Sequence, residues 1–408
     1  MKRRTGFFLL PLFILLLAGC DGINPPHSGT YDQVLIYCGL GYNNLSGNLK
    51  TNIQDMQSDL LPGLWQDKAV VAFCHNTVGS SYTTPSPPCL IRFWRGSDGK
   101  PVADTIKTYD EISLSASKET LRAALEEIVQ MFPAEHYGML FSSHGSGWVP
   151  GNYSSGSEQV SPLSRIPESE TSWPETKAVG NQFVGSSSNV RWIEMTDFVD
   201  AIPVKLDYLI LDNCLSGCVE LAYELRGTCH YLVASPTEIL TSGMVYDRLI
   251  RLMMNGDQPD LEAYCKAYYD FYNGQSGSLR SGTVVLVDCS KLDALADSFR
   301  SILDKHRESL VTGLTRTVQR YYYASSKLRF YYDLRDLCEQ LGASSAELSA
   351  LDAALADCIP YHAETPTFFD LPLERCCGLS VYIPEPGRTQ LNARYKTLSW
   401  NNRVRLVQ

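Results

Sequence analysis

Five short, largely apolar runs constrain this chain more than any other feature: 33–38, 68–73, 137–143, 206–211 and 231–235. A strand with one face in water alternates apolar and polar residues. A continuous run rich in Val, Ile, Leu, Tyr and Phe instead requires cover on both faces. Stretches of helical spacing lie between the runs. Leu45, Leu49, Ile53, Met56 and Leu60 recur every three or four residues across 45–61, and 118–131 follows Ser117 as a possible N-cap. Further helices are expected over 194–201 and 216–226, the latter with Val219, Ala222, Tyr223 and Leu225 facing inward. Strands alternating with helices predict an α/β protein with a mainly parallel sheet covered on both sides.

With 408 residues the chain can hold one large domain or two medium ones. The alternating pattern fills 31–290, with another strand at 91–94, helices over 244–254 and 258–273, and a strand at 283–288. Within it, 149–190 is rich in Ser, Gly, Pro and Glu and reads as a long loop or insertion. The remainder, 291–408, reads as an extension packed on the core, with helices over 291–324 and 345–357 and a strand at 378–383. A hydrophobic content of 44% supports a buried core. The net charge of −10 and the lack of any basic stripe argue against a nucleic-acid partner.

The N-terminus has its own logic. Lys2, Arg3 and Arg4 precede an apolar stretch, 7–17, that is too short to span a bilayer, which needs roughly 20 residues. Leu17-Ala18-Gly19-Cys20 then fits the cleavage site of a bacterial lipoprotein signal, with 1–19 removed, Cys20 acylated and 20–30 acting as a tether. An ordinary signal peptide or anchor helix with an incidental cysteine is the competing reading. Residues 1–19 hold three basic and no acidic residues, so their loss would take the net charge from −10 to −13. Lipid rather than charge would then hold the protein to a membrane of the cell envelope.

Two strand ends carry the chemistry. One run enters Ser143-His144-Gly145, another enters Asp212-Asn213-Cys214. In an open parallel sheet ligands collect beyond the carboxyl ends of the strands, so an imidazole and a thiol 70 residues apart can meet there. The thiolate is the nucleophile, and a neighbouring imidazole can take the proton and later return one to the leaving amine. Gly145 admits close approach, and the amides of Gly145 and Cys214 could form an oxyanion hole.

Residues 31–45, 138–148 and 208–246 resemble the clostripain-like cysteine peptidases, relatives of caspases, gingipains and legumain. Leu211-Asp212-Asn213-Cys214-Leu215 is similar to that family's nucleophile turn. Leu140-Phe141-Ser142-Ser143-His144-Gly145 is similar to its histidine turn, and Gly41-Tyr42-Asn43-Asn44-Leu45 to the turn after its first strand. The resemblance implies a caspase-like α/β/α sandwich and an endopeptidase that cuts protein or peptide substrates after Arg or Lys through a Cys214–His144 dyad. It also implies that Asp212 lies in the specificity pocket, where a carboxylate can pair with a basic side chain. Glu238 is a candidate wall of the same pocket. Ser142-Ser143 stands where an acidic residue is expected in many relatives, which gives no support to a third catalytic member. Some relatives cut themselves between histidine and cysteine, which makes Lys177 or Arg165 candidate self-cleavage sites; an inert surface insertion is the alternative.

Thirteen cysteines in an exported chain suggest disulfides, but setting aside Cys20 and a nucleophile leaves an odd number. Cys214, Cys218, Cys229 and His230 lack the paired short spacings of a structural zinc site. No dense run of Asp and Asn resembles a calcium loop, so no cofactor is required and calcium stays open. The aromatic residues at 321–323 and 330–332 read as helix packing. A different class of function also fits the sequence: a catalytically silent surface lipoprotein that uses the same fold to bind peptide or glycan.

Overall fold

The computed structural model describes residues 29–79, 84–109, 114–151, 153, 181–183, 190–256, 258–310, 313–323 and 328–408. Cys20, Arg165 and Lys177 therefore lie outside the described residues.

The expected strands are β1 (Tyr31–Leu40), β2 (Lys68–His75), β3 (Cys89–Arg95), β5 (Ala134–Ser142), β6 (Leu206–Asp212), β7 (Cys229–Ala234) and β8 (Thr283–Asp288). Two more, β4 (Pro101–Thr108) and β9 (Tyr361–Glu364), complete a nine-stranded sheet in the order β9-β8-β7-β6-β5-β1-β2-β3-β4. The five central strands, β7, β6, β5, β1 and β2, are parallel, and each flank is antiparallel. The continuous apolar runs are the buried centre. β4 alternates exposed and half-buried residues up to its last, exposed position, as an edge strand with one wet face must. That polarity is why no apolar run marks it. β9 is a four-residue, half-exposed edge, equally faint in sequence.

Helices cover both faces. α1 (Ser46–Ser58), α5 (Leu249–Met254) and α6 (Leu261–Asn273) form one layer, joined by the short turn Tyr246–Arg248. α2 (Lys118–Met131), α3 (Met195–Ala201) and α4 (Val219–Leu225) form the other, extended by α7 (Leu292–His306). α2 starts where Ser117 accepts a hydrogen bond from the Thr120 amide at 3.2 Å. The C-terminal part adds α8 (Leu334–Gln340), α9 (Ser345–Cys358), α10 (Thr389–Tyr395) and α11 (Ser399–Val404). It is woven into the molecule: β9 extends the main sheet, and α11 packs on both α4 and α7.

Four expectations need correction. The helix expected over 291–324 ends at His306; short 3₁₀ turns follow, and Gly313 has φ +116°, a conformation no helix interior accepts. The tyrosines beyond it are buried, yet not on a helix. Tyr321 donates its amide to the Tyr331 carbonyl at 2.9 Å and its hydroxyl to Asp333 at 2.9 Å. The helix expected over 244–254 is regular only from Leu249, and the strand expected at 378–383 is reduced to Ser380–Val381.

Candidate active site

Strand register brings the two chemical turns together. Ser142 at the end of β5 pairs with Asp212 at the end of β6, and Gly39 near the end of β1 pairs with Ser142. The chain moves from β1 toward β2 on one side and resumes at β5 on the other. The β1–β5 boundary is thus the switch point of the sheet, where a crevice is expected. His144 lies two residues past Ser142, and Cys214 two residues past Asp212.

The turns interlock through their backbones. A Cβ on Gly145 would lie 2.5 Å from both the amide nitrogen and the carbonyl oxygen of Cys214. A Cβ on Gly147, whose φ is +55°, would lie 2.4 Å from the Leu215 carbonyl oxygen. No larger residue fits either position. Leu215 itself adopts φ +59°. A γ-branched side chain rarely enters this left-handed region, so the cysteine turn stores strain that the surroundings must hold. They do so by direct hydrogen bonds: the Leu215 amide to the Thr237 carbonyl at 2.9 Å, and the Gly217 amide to Ser235 at 2.8 Å. On the other side Ser380 donates to the Gly217 carbonyl at 2.9 Å, and the Tyr331 hydroxyl donates to the Ser146 carbonyl.

His144 is 7% exposed, and its Nε2 lies 2.6 Å from Asn44 Oδ1. An amide oxygen can only accept, so Nε2 carries the proton and Nδ1 is left as the basic nitrogen. Asn44 stands on the turn after β1. That turn is fixed by Asn43, whose side chain accepts from the Leu45 amide at 2.8 Å and donates to the Asn181 carbonyl at 2.8 Å. Phe183 adds a backbone bond to Tyr42 at 2.9 Å. The described end of the 149–190 insertion therefore buttresses the residue that holds the histidine. Asn44 lay within a motif noted in the sequence, but its contact with His144, 100 residues away, could be found only in the fold.

Cys214 is fully buried. The Ile239 amide donates to its sulfur at 3.2 Å, and an N–H aimed at sulfur favours negative charge there. Two carboxylates from the sequence reading are also buried: Asp212, two residues before Cys214, is inaccessible, and Glu238, the neighbour of Ile239, is 5% exposed. Asp212 Oδ2 accepts from the Ser142 hydroxyl at 2.7 Å and the Tyr246 hydroxyl at 2.5 Å. Burial, and then the Asp212 charge, raise the Tyr246 hydroxyl well above the usual tyrosine range, so it remains a neutral donor. The Asp212 charge also raises Tyr264, Tyr268 and Tyr272 on α6, after the larger effect of burial. A carboxylate thus sits beneath the cysteine turn, ringed by phenols.

The structure unites His144, Gly145, Asn44, Asp212, Cys214 and Glu238 at one end of the sheet. A nine-stranded, mainly parallel sheet between helical layers, with a histidine turn and a cysteine turn on adjacent strand ends, defines a caspase-like α/β/α protein. The model of the clostripain family of C11 peptidases matches residues 165–358, which include the cysteine turn. The matched stretch is a little under half of the chain, and over it the chain is similar to the clostripain family.

Solved structures agree in fold. An inactive zymogen C11 protease from Parabacteroides distasonis superposes with a TM-score of 0.73 at 23% identity, over 92% of this chain and 99% of that one. Iotapain, a secreted C11 cysteine protease from Bacteroides thetaiotaomicron, gives 0.73 at 20% identity over the same shares. A secreted C11 cysteine protease from the same organism, in complex with an irreversible peptide inhibitor, gives 0.72 at 19% over the same shares. A search of curated proteins returned no match.

Proposed function

We propose that the protein hydrolyses peptide bonds after Arg or Lys, with Cys214 as nucleophile and His144 as general base and acid, on the outer side of a bacterial membrane to which Cys20 is lipid-linked. The observation that carries the dyad is the backbone interlock of Gly145 with Cys214 at neighbouring strand ends. His144 Nδ1 takes the proton of Cys214, and the thiolate adds to the scissile carbonyl. The oxyanion is met by the amides of Gly145 and Cys214. His144 then gives its proton to the leaving amine, and water releases the acyl group by the reverse sequence.

Specificity for a basic side chain rests on two buried carboxylates, Asp212 two residues before the nucleophile and Glu238 next to Ile239, whose amide meets the sulfur. A guanidinium or ammonium entering there exchanges water for a charged partner, which a neutral side chain cannot do. Because Cys214 is enclosed, with Ile239 closing over the sulfur, substrate entry requires the 237–240 segment to move. Cleavage at Lys177 or Arg165 would release the insertion upstream of Asn181 while leaving the Asn181–Asn43 bonds that position Asn44. The chemistry assigns no step to a metal, so activity should survive chelation.

The test is turnover of fluorogenic peptides ending in Arg, Lys or Asp, under reducing conditions, with calcium and with EDTA. Release after Arg or Lys, lost in Cys214→Ala and His144→Ala, is expected. Release only after Asp would refute the role of Asp212, and loss on chelation would refute metal independence.

A further inference from the structure

The end of the sheet opposite the site carries an apolar feature unrelated to catalysis. Because the central strands are parallel, Tyr31 at the start of β1 and Lys68 at the start of β2 share that end. The Asp32 amide donates to the Asp67 carbonyl at 2.8 Å, which ties the entering chain to the loop between α1 and β2. That loop presents Leu60 at 51% exposure and Trp65 at 76%, the most exposed large hydrophobic among the described residues. Single exposed apolar side chains are ordinary. Here, however, a nearly bare indole stands two residues along the chain from the backbone that clasps the protein's point of entry.

We infer that Leu60 and Trp65 dock into the bilayer interface and orient the anchored protein with its catalytic end facing away from the membrane. The inference rests on the proposed lipidation of Cys20. Only eight residues lie between Cys20 and Gly29, a reach of at most about 30 Å at ~3.5 Å per residue. The end bearing Trp65 is therefore held close to the lipid surface. The occupant is a phospholipid interface rather than a protein, because the tether brings that surface to this end. Tryptophan prefers the headgroup level, where its ring is half buried and its N–H stays hydrated. Charge does not drive the docking, since the mature chain is strongly acidic. β1 has ten residues, so at ~3.3 Å per residue the site stands about 30 Å or more from the bilayer, within reach of soluble chains.

The experiment places the mature, lipidated full chain in phosphatidylcholine–phosphatidylglycerol vesicles with brominated acyl chains and reads flotation and tryptophan emission. Flotation with quenching and a blue shift, both largely lost in Trp65→Phe, is the expected result. Flotation without quenching, or quenching that survives Trp65→Phe, overturns the docking while leaving the anchor intact. Failure to float, with an intact mass lacking a diacylglyceryl group, overturns the anchor and the docking with it. Turnover of a soluble peptide should be unchanged in Trp65→Phe, because this residue is at the far end of the sheet.

Discussion

At the scale of single residues, Asn44 is the clearest addition to the proposed Cys214–His144 pair. Its amide oxygen fixes both the tautomer and the plane of the His144 ring. Asn44→Ala should lower kcat by on the order of tenfold or more with KM little changed, because an unoriented imidazole transfers protons less well while the substrate cleft stays intact. Steady-state kinetics on an Arg-ending peptide check this; a rise in KM alone would instead place Asn44 in substrate binding. That the His144 and Cys214 turns lie at one end of the sheet was legible in the sequence, because each follows directly on an apolar strand. Asn44 was not, since a polar residue in a turn looks the same whether it faces solvent or a catalytic ring. The phenols about Asp212 were hidden for a similar reason: Tyr246 and the α6 tyrosines fall in expected helices, where a tyrosine facing a carboxylate looks like any other.

At the scale of elements, the site depends on how closely two turns approach. Adding one methyl at Gly145 meets two backbone atoms at 2.5 Å, neither of which can swing aside as a side chain can. Gly145→Ala should therefore reduce activity more than about 100-fold by displacing the cysteine turn, as the same kinetic assay would show. Gly47 offers the contrast, because it lies in α1 with open space around its Cα. Gly47→Ala should leave activity unchanged and raise stability by about 0.5–1 kcal/mol through helix propensity, read from urea unfolding. The strands of the parallel centre announce themselves by unbroken apolar runs, and α2 by its Ser117 cap. The edge strands β4 and β9 and the broken end of the 291–324 region do not. Wet edges dilute the apolar signal, and Gly313 interrupts a pattern that otherwise continues to read as helix.

At the scale of the whole molecule, the C-terminal segment is bound to the catalytic layer through one buried acid. Glu220 on α4 accepts from the Tyr382 amide at 2.9 Å and the Tyr395 hydroxyl at 2.7 Å. Burial raises its carboxyl from the ordinary glutamate value, near 4.5, to about 7, although those same bonds pull it down. The folded protein thus holds this proton more tightly than the unfolded chain does. Stability from this group is full below about pH 4.5 and is lost as pH rises to about 7, by roughly 3 kcal/mol at 1.36 kcal/mol per unit. Glu220→Gln keeps the neutral form at every pH. The difference in urea midpoint between variant and wild type should therefore grow in the variant's favour from pH 4.5 to pH 8. A constant difference would mean that Glu220 stays ionised in the fold.

The most direct measurement is the site of covalent capture by an Arg-ending chloromethyl ketone peptide, mapped by tandem mass spectrometry. Of the thirteen cysteines, Cys20 is taken up by the proposed lipid, so the eleven besides Cys214 serve as internal controls for simple thiol reactivity. The account predicts a single adduct, on Cys214, and much slower labelling in His144→Ala. An adduct on another cysteine, or labelling of Cys214 at an undiminished rate without the imidazole, would contradict it.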